Sequence, residues 1–171
     1  MKYKINLIIQ KKIPSKNILL KWINWLNNSR VSKFSSRSFI KHTITSQKKF
    51  VKQRITDKNC KLFLIKYLNL YIGVIELTNI EYKNKNCEIR YLIGNPSLWG
   101  KGLASESIKL ASKYAFKRLK IKTIYADTHQ DNLASQKVLK KNNFKIQGRI
   151  KKFFSGKAKA RDKIIFVKNK K

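Results

Sequence analysis

Between Leu92 and Ala104 the chain reads Leu-Ile-Gly-Asn-Pro-Ser-Leu-Trp-Gly-Lys-Gly-Leu-Ala. A β-type run breaks at Asn95-Pro96, and a Gly-Lys-Gly turn then opens directly into a stretch with apolar residues at helical spacing. The first-turn amides of a helix have no partner within it and lie at the positive end of its dipole, so such a junction can hold an anion. Gly100 and Gly102 keep side chains out of a bound phosphate's way and admit dihedral angles other residues resist, while Lys101 adds positive potential. Taken alone, Gly-x-Gly before a helix also occurs as ordinary turn chemistry.

The elements that must hold this junction follow from hydrophobic periodicity. Lys2 to Gln10 alternates and predicts a strand with Tyr3, Ile5, Leu7 and Ile9 on one side. Ser15 is placed to cap a helix reaching about Asn27, with Ile18, Trp22, Trp25 and Leu26 on its apolar face. A second helix follows, capped by Thr45 or Ser46, with Phe50, Val51 and Ile55 inward. Leu62 to Tyr67, Tyr71 to Thr78 and Cys87 to Gly94 are consecutive β-rich runs joined by short turns. Beyond the junction, Ala104, Ile108, Ala111, Ala115 and Leu119 mark the strongest helix of the chain. Thr123 to Asp127 reads as a strand and Asn132 to Lys141 as a shorter helix. Phe144 to Phe154 and Asp162 to Val167 read as two closing strands about a turn at Gly156. The order βααβββαβαββ predicts an α/β (α+β mixed) fold: a central mixed, mostly antiparallel sheet of about seven strands flanked by four helices, one domain over 1–171.

Composition narrows the function. A chain of 171 residues with 42% hydrophobic residues can bury a core without disulfides or metals. Cys60 and Cys87 have no His or Cys partners at metal spacing and read as buried reduced thiols, so no metal site is expected. The N-terminal stretch lacks a long apolar run, which predicts no signal peptide, no membrane span and a cytoplasmic location. Forty-one Lys and Arg against eight Asp and Glu give a net charge of +33 and a strongly positive field. Most of that charge is lysine spread along every segment, and the arginine forks that suit specific phosphate recognition are scarce. The field therefore predicts a general preference for anionic ligands and no specific nucleic-acid surface.

Two motifs in order carry a family resemblance. Trp99-Gly-Lys-Gly-Leu-Ala104 resembles the coenzyme A pyrophosphate loop of the GNAT superfamily of N-acetyltransferases, and Asn132-Leu-Ala-Ser135 through Asn-Asn-Phe144 resembles its second motif. With Glu88 to Gly94 and Gly148 to Asp162, the match is greatest to the RimJ/RimL-like branch. That branch includes acetyltransferases of ribosomal-protein N-termini and of amino sugars. The resemblance implies acetyl-CoA as co-substrate, with the amides of Trp99, Gly100, Lys101, Gly102, Leu103 and Ala104 around the pyrophosphate. It also implies that the strand end at Tyr91, Leu92 and Ile93 pairs with the pantetheine arm, and that Asn132 and Ser135 meet the cofactor. Asn143 replaces the usual Gly before Phe144, which requires a left-handed helix end there. Leu139 stands where many relatives place a tyrosine that protonates the departing thiolate.

Acetyl transfer to an amine needs a proton acceptor and a donor to the oxyanion. Glu88, on the strand leading to the loop, is the first candidate base and Glu76 on the neighbouring strand the second; the competing role for each is an ion pair with a lysine. The oxyanion donor is expected among strand-end amides near Leu92 or Ile93. Trp22, His129 and Asp162 are candidates for acceptor binding, against core packing, plain solvation and a turn role respectively. The resemblance implies a small-molecule amine or a protein N-terminus as partner, with a nucleotide-linked amino sugar ahead of a ribosomal-protein N-terminus, on a monomer or homodimer. The remaining alternative is a non-enzymatic basic protein that binds nucleic acid with this fold.

Overall fold

The computed structural model describes residues 4–35, 40–154 and 160–170. Tyr3 and the turn at Gly156 lie outside them. The strands are β1 (Ile5–Ile9), β2 (Lys61–Tyr67), β3 (Leu70–Glu81), β4 (Asn86–Ile93), β5 (Thr123–His129), β6 (Lys145–Phe154) and β7 (Arg161–Asn169). The helices are α1 (Lys16–Leu26), α2 (Ser29–Ser32), α3 (Ile44–Thr56), α4 (Leu103–Lys117) and α5 (Leu133–Lys141). The strands form one sheet in the order β1-β2-β3-β4-β5-β7-β6. Every neighbouring pair is antiparallel except β4 and β5, which run parallel. The mixed, mostly antiparallel seven-stranded sheet is therefore as expected, with five α-helices among the described residues in place of four.

Alternation along the strands divides two cores. Phe63, Ile65, Ile75, Leu77, Cys87, Ile89, Ile124 and Phe166 point to one face, where Leu103, Ile108, Ala111 and Ala115 of α4 and Leu139 of α5 cover them. Leu62, Leu64 and Val74 point to the other, against Leu19, Trp22 and Trp25 of α1 and Val51 of α3. Complete burial of each Leu or Ile contributes about 1.5–3 kcal/mol, so both helical layers are tied to the sheet by its alternation. Cys60 and Cys87 are free and buried, and burial pushes their thiols up to about 11 and about 12 respectively. Among the described residues no helix is long and apolar enough to cross a membrane.

Local chemistry sets the ends of the helices. Thr43, ahead of both expected residues, caps α3: its hydroxyl accepts from the Ser46 amide at 3.2 Å, and the Thr43 amide donates to Ser46 Oγ at 2.9 Å. Ser46 is thus the reciprocal partner at the third helical position, not the cap, and Ile44 is gained by the helix. Helix α2 was unforeseen because four residues with a single large apolar side chain, Val31, show no period; Asn28 caps it by accepting from the Arg30 amide. At the end of α5, Asn143 has φ 63, and the Asn143 and Phe144 amides donate to the carbonyls of Lys140 and Leu139. This Schellman ending buries Phe144 beside Leu139 and supplies the left-handed turn the sequence requires there.

The strand end that leads to the Gly-Lys-Gly junction is braced from the α1 side. A Cβ on Gly94 would lie 2.0 Å from Cδ2 of the buried Trp25 indole. Gly94→Ala is expected to lower the unfolding free energy by about 1–3 kcal/mol, as overpacking of a close-packed site does. Urea unfolding followed by tryptophan fluorescence checks it, and an unchanged midpoint would show that Trp25 does not fix this strand end.

Candidate active site

Strands β4 and β5 pair only at Asn86, Cys87 and Glu88 with Thr123, Ile124 and Tyr125. Beyond Glu88, β4 stays on β3, and all of β5 stays on β7, so the two parallel strands separate. The Gly94 amide donates to the Ile72 carbonyl, which by antiparallel alternation turns the backbone groups of Leu92 toward β3 and those of Tyr91 and Ile93 toward the gap. The sequence placed all three residues at this edge; Leu92 contributes its side chain to the cleft and its main chain to the sheet. The Ile93 carbonyl is already taken, by the indole N–H of Trp99 at 2.9 Å.

The junction beyond β4 has the expected conformation. Asn95 caps a short 3-10 turn at Pro96–Leu98 by accepting from the Ser97 amide, and Gly100 and Gly102 follow with φ of 75 and 77. No side chain caps α4, and its hydrogen-bond ladder begins with the Glu106 amide on the Gly102 carbonyl. The amides of Leu103, Ala104 and Ser105 therefore precede the ladder, as an anion site requires. The Trp99 amide does not belong to that set, because it donates to the Pro96 carbonyl at 3.1 Å. Trp99 instead ties the turn back to the end of β4 through its indole. Leu103 is buried, so only its main chain is available, and Lys101 is exposed. Glu106 pairs with Lys109 at 3.6 Å on the surface of α4.

Beside the gap lies a cleft of about 390 Å³. Its polar walls bring together Arg54 of α3, Glu76 of β3, Arg90 and Tyr91 of β4, Asp127 and His129 of β5, and Asn132 and Ser135 at the start of α5. Glu76 is 8% exposed and meets Arg54 Nε at 3.3 Å; Asp127 meets Lys163 Nζ at 2.7 Å. Glu88 does not line the cleft. Its Oε1 accepts from Arg90 Nε at 2.8 Å, and its Oε2 accepts from Arg90 Nη2 and Asn79 Nδ2, each at 2.9 Å. The partner of Glu88 is thus an arginine two residues along the same strand, a contact that strand alternation predicts once the face is known. Arg54, Arg90 and Asp127 were not singled out from the sequence, since charged residues on a strand face or helix flank carry no signal until the face is seen to be concave.

The other expected residues divide. Asn132 accepts from the Ser135 amide at 3.1 Å and so caps α5, while Ser135 Oγ lies 2.8 Å from the Tyr91 hydroxyl. Trp22 is 2% exposed and packs edge-on against Phe50 under the cleft. His129 stacks on Phe154 with centroids 5.0 Å apart and also contacts Phe34, while its Nδ1 accepts from the Asp131 amide. Asp162 lies outside the cleft: one oxygen accepts from the Lys152 amide and the other pairs with Arg149, where β6 and β7 lose register. Its role on this geometry is to pin the irregular hairpin. Among the described residues no group of three or more His, Cys, Asp or Glu is placed to hold a metal ion.

Comparison with known proteins identifies the family and the fold. The acetyltransferase (GNAT) domain family matches residues 18–145. The acetyltransferase PseH of Campylobacter jejuni subsp. jejuni serotype O:23/36 (strain 81-176) is 33% identical over 132 residues, covering 76% of this chain and 78% of that protein. The spermidine N-acetyltransferase of Vibrio cholerae, crystallised with CoA and spermine, superposes with a TM-score of 0.83 at 20% identity over 97% of this chain and 95% of that one. RimL, the ribosomal L7/L12 alpha-N-protein acetyltransferase crystallised with coenzyme A, gives 0.83 at 20% identity over 96% and 93%.

Gly100 separates the needs of the chain from those of a ligand, because a Cβ there meets nothing within 4 Å. Gly100→Ala is expected to cost about 1 kcal/mol of stability from its positive φ, and to weaken the binding of coenzyme A at least tenfold. Gly102→Glu should abolish that binding. Calorimetric titration checks both; normal affinity in Gly102→Glu would move the anion site elsewhere.

Proposed function

The chain belongs to the acetyltransferase (GNAT) family and is an acetyl-CoA-dependent N-acetyltransferase, and we propose that its acceptor is the primary amine of a nucleotide-linked amino sugar, bound in the cleft beside the β4–β5 gap. One observation carries the proposal: an uncapped helix start with two left-handed glycines lies next to the only parallel strand pair among the described residues, where that pair has opened. The two features suit the two ends of one ligand, a pyrophosphate at the amides of Leu103 and Ala104 and an amide-bearing arm at the Tyr91 and Ile93 backbone. Solved neighbours of this fold were crystallised with CoA or acetyl-CoA, which supports the same assignment.

Bound there, the thioester supplies an activated acetyl carbon. The protein's own part is to orient it, to take a proton from the amine and to donate to the carbonyl oxygen. The Ile93 amide faces the gap and is the donor for that oxygen. Glu76 is our candidate to receive the proton, because it lines the cleft, whereas Glu88 does not and is held by Arg90 and Asn79. Arg54 sets the position of the Glu76 carboxylate.

Electrostatics favours an anionic acceptor. Six carboxylates, Glu76, Glu88, Glu106, Asp127, Asp131 and Asp162, are each engaged by an arginine or lysine. Against a net charge of +33, no wall of uncompensated carboxylates remains to draw in a polycation, while a sugar diphosphate is attracted from a distance. A ribosomal-protein N-terminus is the second reading, favoured by the RimL fold match.

A panel of acceptors with acetyl-CoA tests the proposal. Turnover is expected with UDP- or dTDP-linked amino sugars and not with spermidine or intact ribosomal proteins; the reverse pattern ends the amino-sugar reading. Within the productive reaction, Glu76→Gln is expected to lower kcat by about 10²-fold or more, as loss of a general base does. The largest loss falls at low pH, where free amine is scarcest. Glu88→Gln should lose less, and equal losses would return Glu88 to the role of base.

A further inference from the structure

Resting on this reading of the acceptor, we infer that Gln47 of α3 recognises it: the side-chain amide, buried in the wall of the cleft, binds a hydroxyl of the sugar ring. Gln47 is 2% exposed and lines the cleft, and among the described residues its Nε2 has no hydrogen-bond partner. An amide removed from water without a partner is costly, and buried groups of this kind are ordinarily paired. Its neighbours in the cleft are provided for. Arg54 and Glu76 meet each other at 3.3 Å, and the Ser32 hydroxyl donates to the Asn28 carbonyl at 3.0 Å.

The start of α3 holds Gln47 in place without using its side chain. Asn27, at the end of α1, clamps the main chain of His42: Nδ2 donates to the carbonyl at 2.9 Å and Oδ1 accepts from the amide at 2.8 Å. The reciprocal bonds of Thr43 and Ser46 close the first turn, and the Gln47 main-chain amide donates to the Thr43 carbonyl at 2.9 Å. Val51, one turn further on, is fully buried and ties the helix to the sheet. Capping and packing therefore give no account of a polar group at position 47, whose place an apolar side chain would fill at no loss to the helix.

The surroundings select the kind of ligand. Trp22, Phe50, Val74 and Leu92 supply apolar lining on the α1 and α3 side of the cleft, which suits the C–H face of a sugar ring. A carboxamide donates from one end and accepts at the other, and a hydroxyl does both, so the two match whichever way the amide is turned. A protonated polyamine offers donors only and would leave Nε2 unsatisfied. Arg54 follows Gln47 by seven positions, two turns or roughly 10 Å along the same face of α3, and it is Arg54 that meets Glu76. An amine at Glu76 and a hydroxyl at Gln47 are thus two points of one acceptor, oriented from a single helix face.

Gln47→Met keeps the length of the side chain and removes both polar atoms. With a UDP-linked amino sugar it is expected to raise the acceptor KM about tenfold or more, the worth of one hydrogen bond. The kcat should stay within about threefold, and coenzyme A affinity by calorimetry should not change. The thermal midpoint should hold or rise, because an orphaned amide has left the interior. Monodeoxy analogues of the same sugar locate the bond: one is expected to lose about tenfold with the parent protein and nothing further with Gln47→Met. An unchanged KM, equal losses in both proteins for every analogue, or a fall in thermal midpoint together with coenzyme A affinity overturns the assignment. If the unaltered protein binds coenzyme A but turns over no sugar nucleotide, the acceptor reading itself is wrong, and this inference falls with it.

Discussion

The structure turns on a hydrogen-bond ladder that stops early. β5 commits all seven of its residues to β7, and β4 follows β3 to its end, so each has a continuous partner on its outer side. Their shared edge is bonded over only three pairs. A backbone edge left open between two anchored strands is satisfied by water or by a ligand, and the ligand that suits a strand edge is an extended chain with its own amide groups. Both cores serve this opening, because α4 and α5 hold the strands from one face and α1 and α3 from the other.

The loop at the end of β4 extends the same logic. Trp99 was expected to lend an amide and instead lends its side chain, closing the last carbonyl of the strand with an indole N–H. Asn95 and Pro96 cause this difference, since the short 3-10 turn they start uses up the Trp99 amide. The bend then delivers two glycines with positive φ to the start of α4, where no side chain stands between the amides and the outside.

What the sequence made readable was what depends on near neighbours or on period. Alternation located the strands, three- and four-residue spacing located α1 and α4, and the residue pair at Asn143-Phe144 carried its own left-handed turn. The α3 cap was displaced because Thr43, Thr45 and Ser46 are all capping types, and only the reciprocal bond distinguishes them. The site needed contacts between distant segments. Glu88 and Glu76 are the same residue type on neighbouring strands; Arg90 engages the first, and Arg54, arriving on α3, steadies the second, which is the one that lines the cleft. Nothing local announces that Tyr91 and Ser135 meet, since 44 positions separate them, with the 3-10 turn, α4 and β5 between.

Strand β6 gives the lysine excess a second meaning. It ends the sheet, pairs only with β7 and is exposed along nearly all its length, with Ile146, Ile150 and Phe153 uncovered. A border of that kind invites a copy of itself to zip alongside. Lys145, Arg149, Lys151 and Lys152 are threaded through those apolar side chains, so two such borders repel before they can align. The protection is coulombic and weakens as salt shortens the reach of charge, which makes colloidal behaviour of this chain a function of ionic strength.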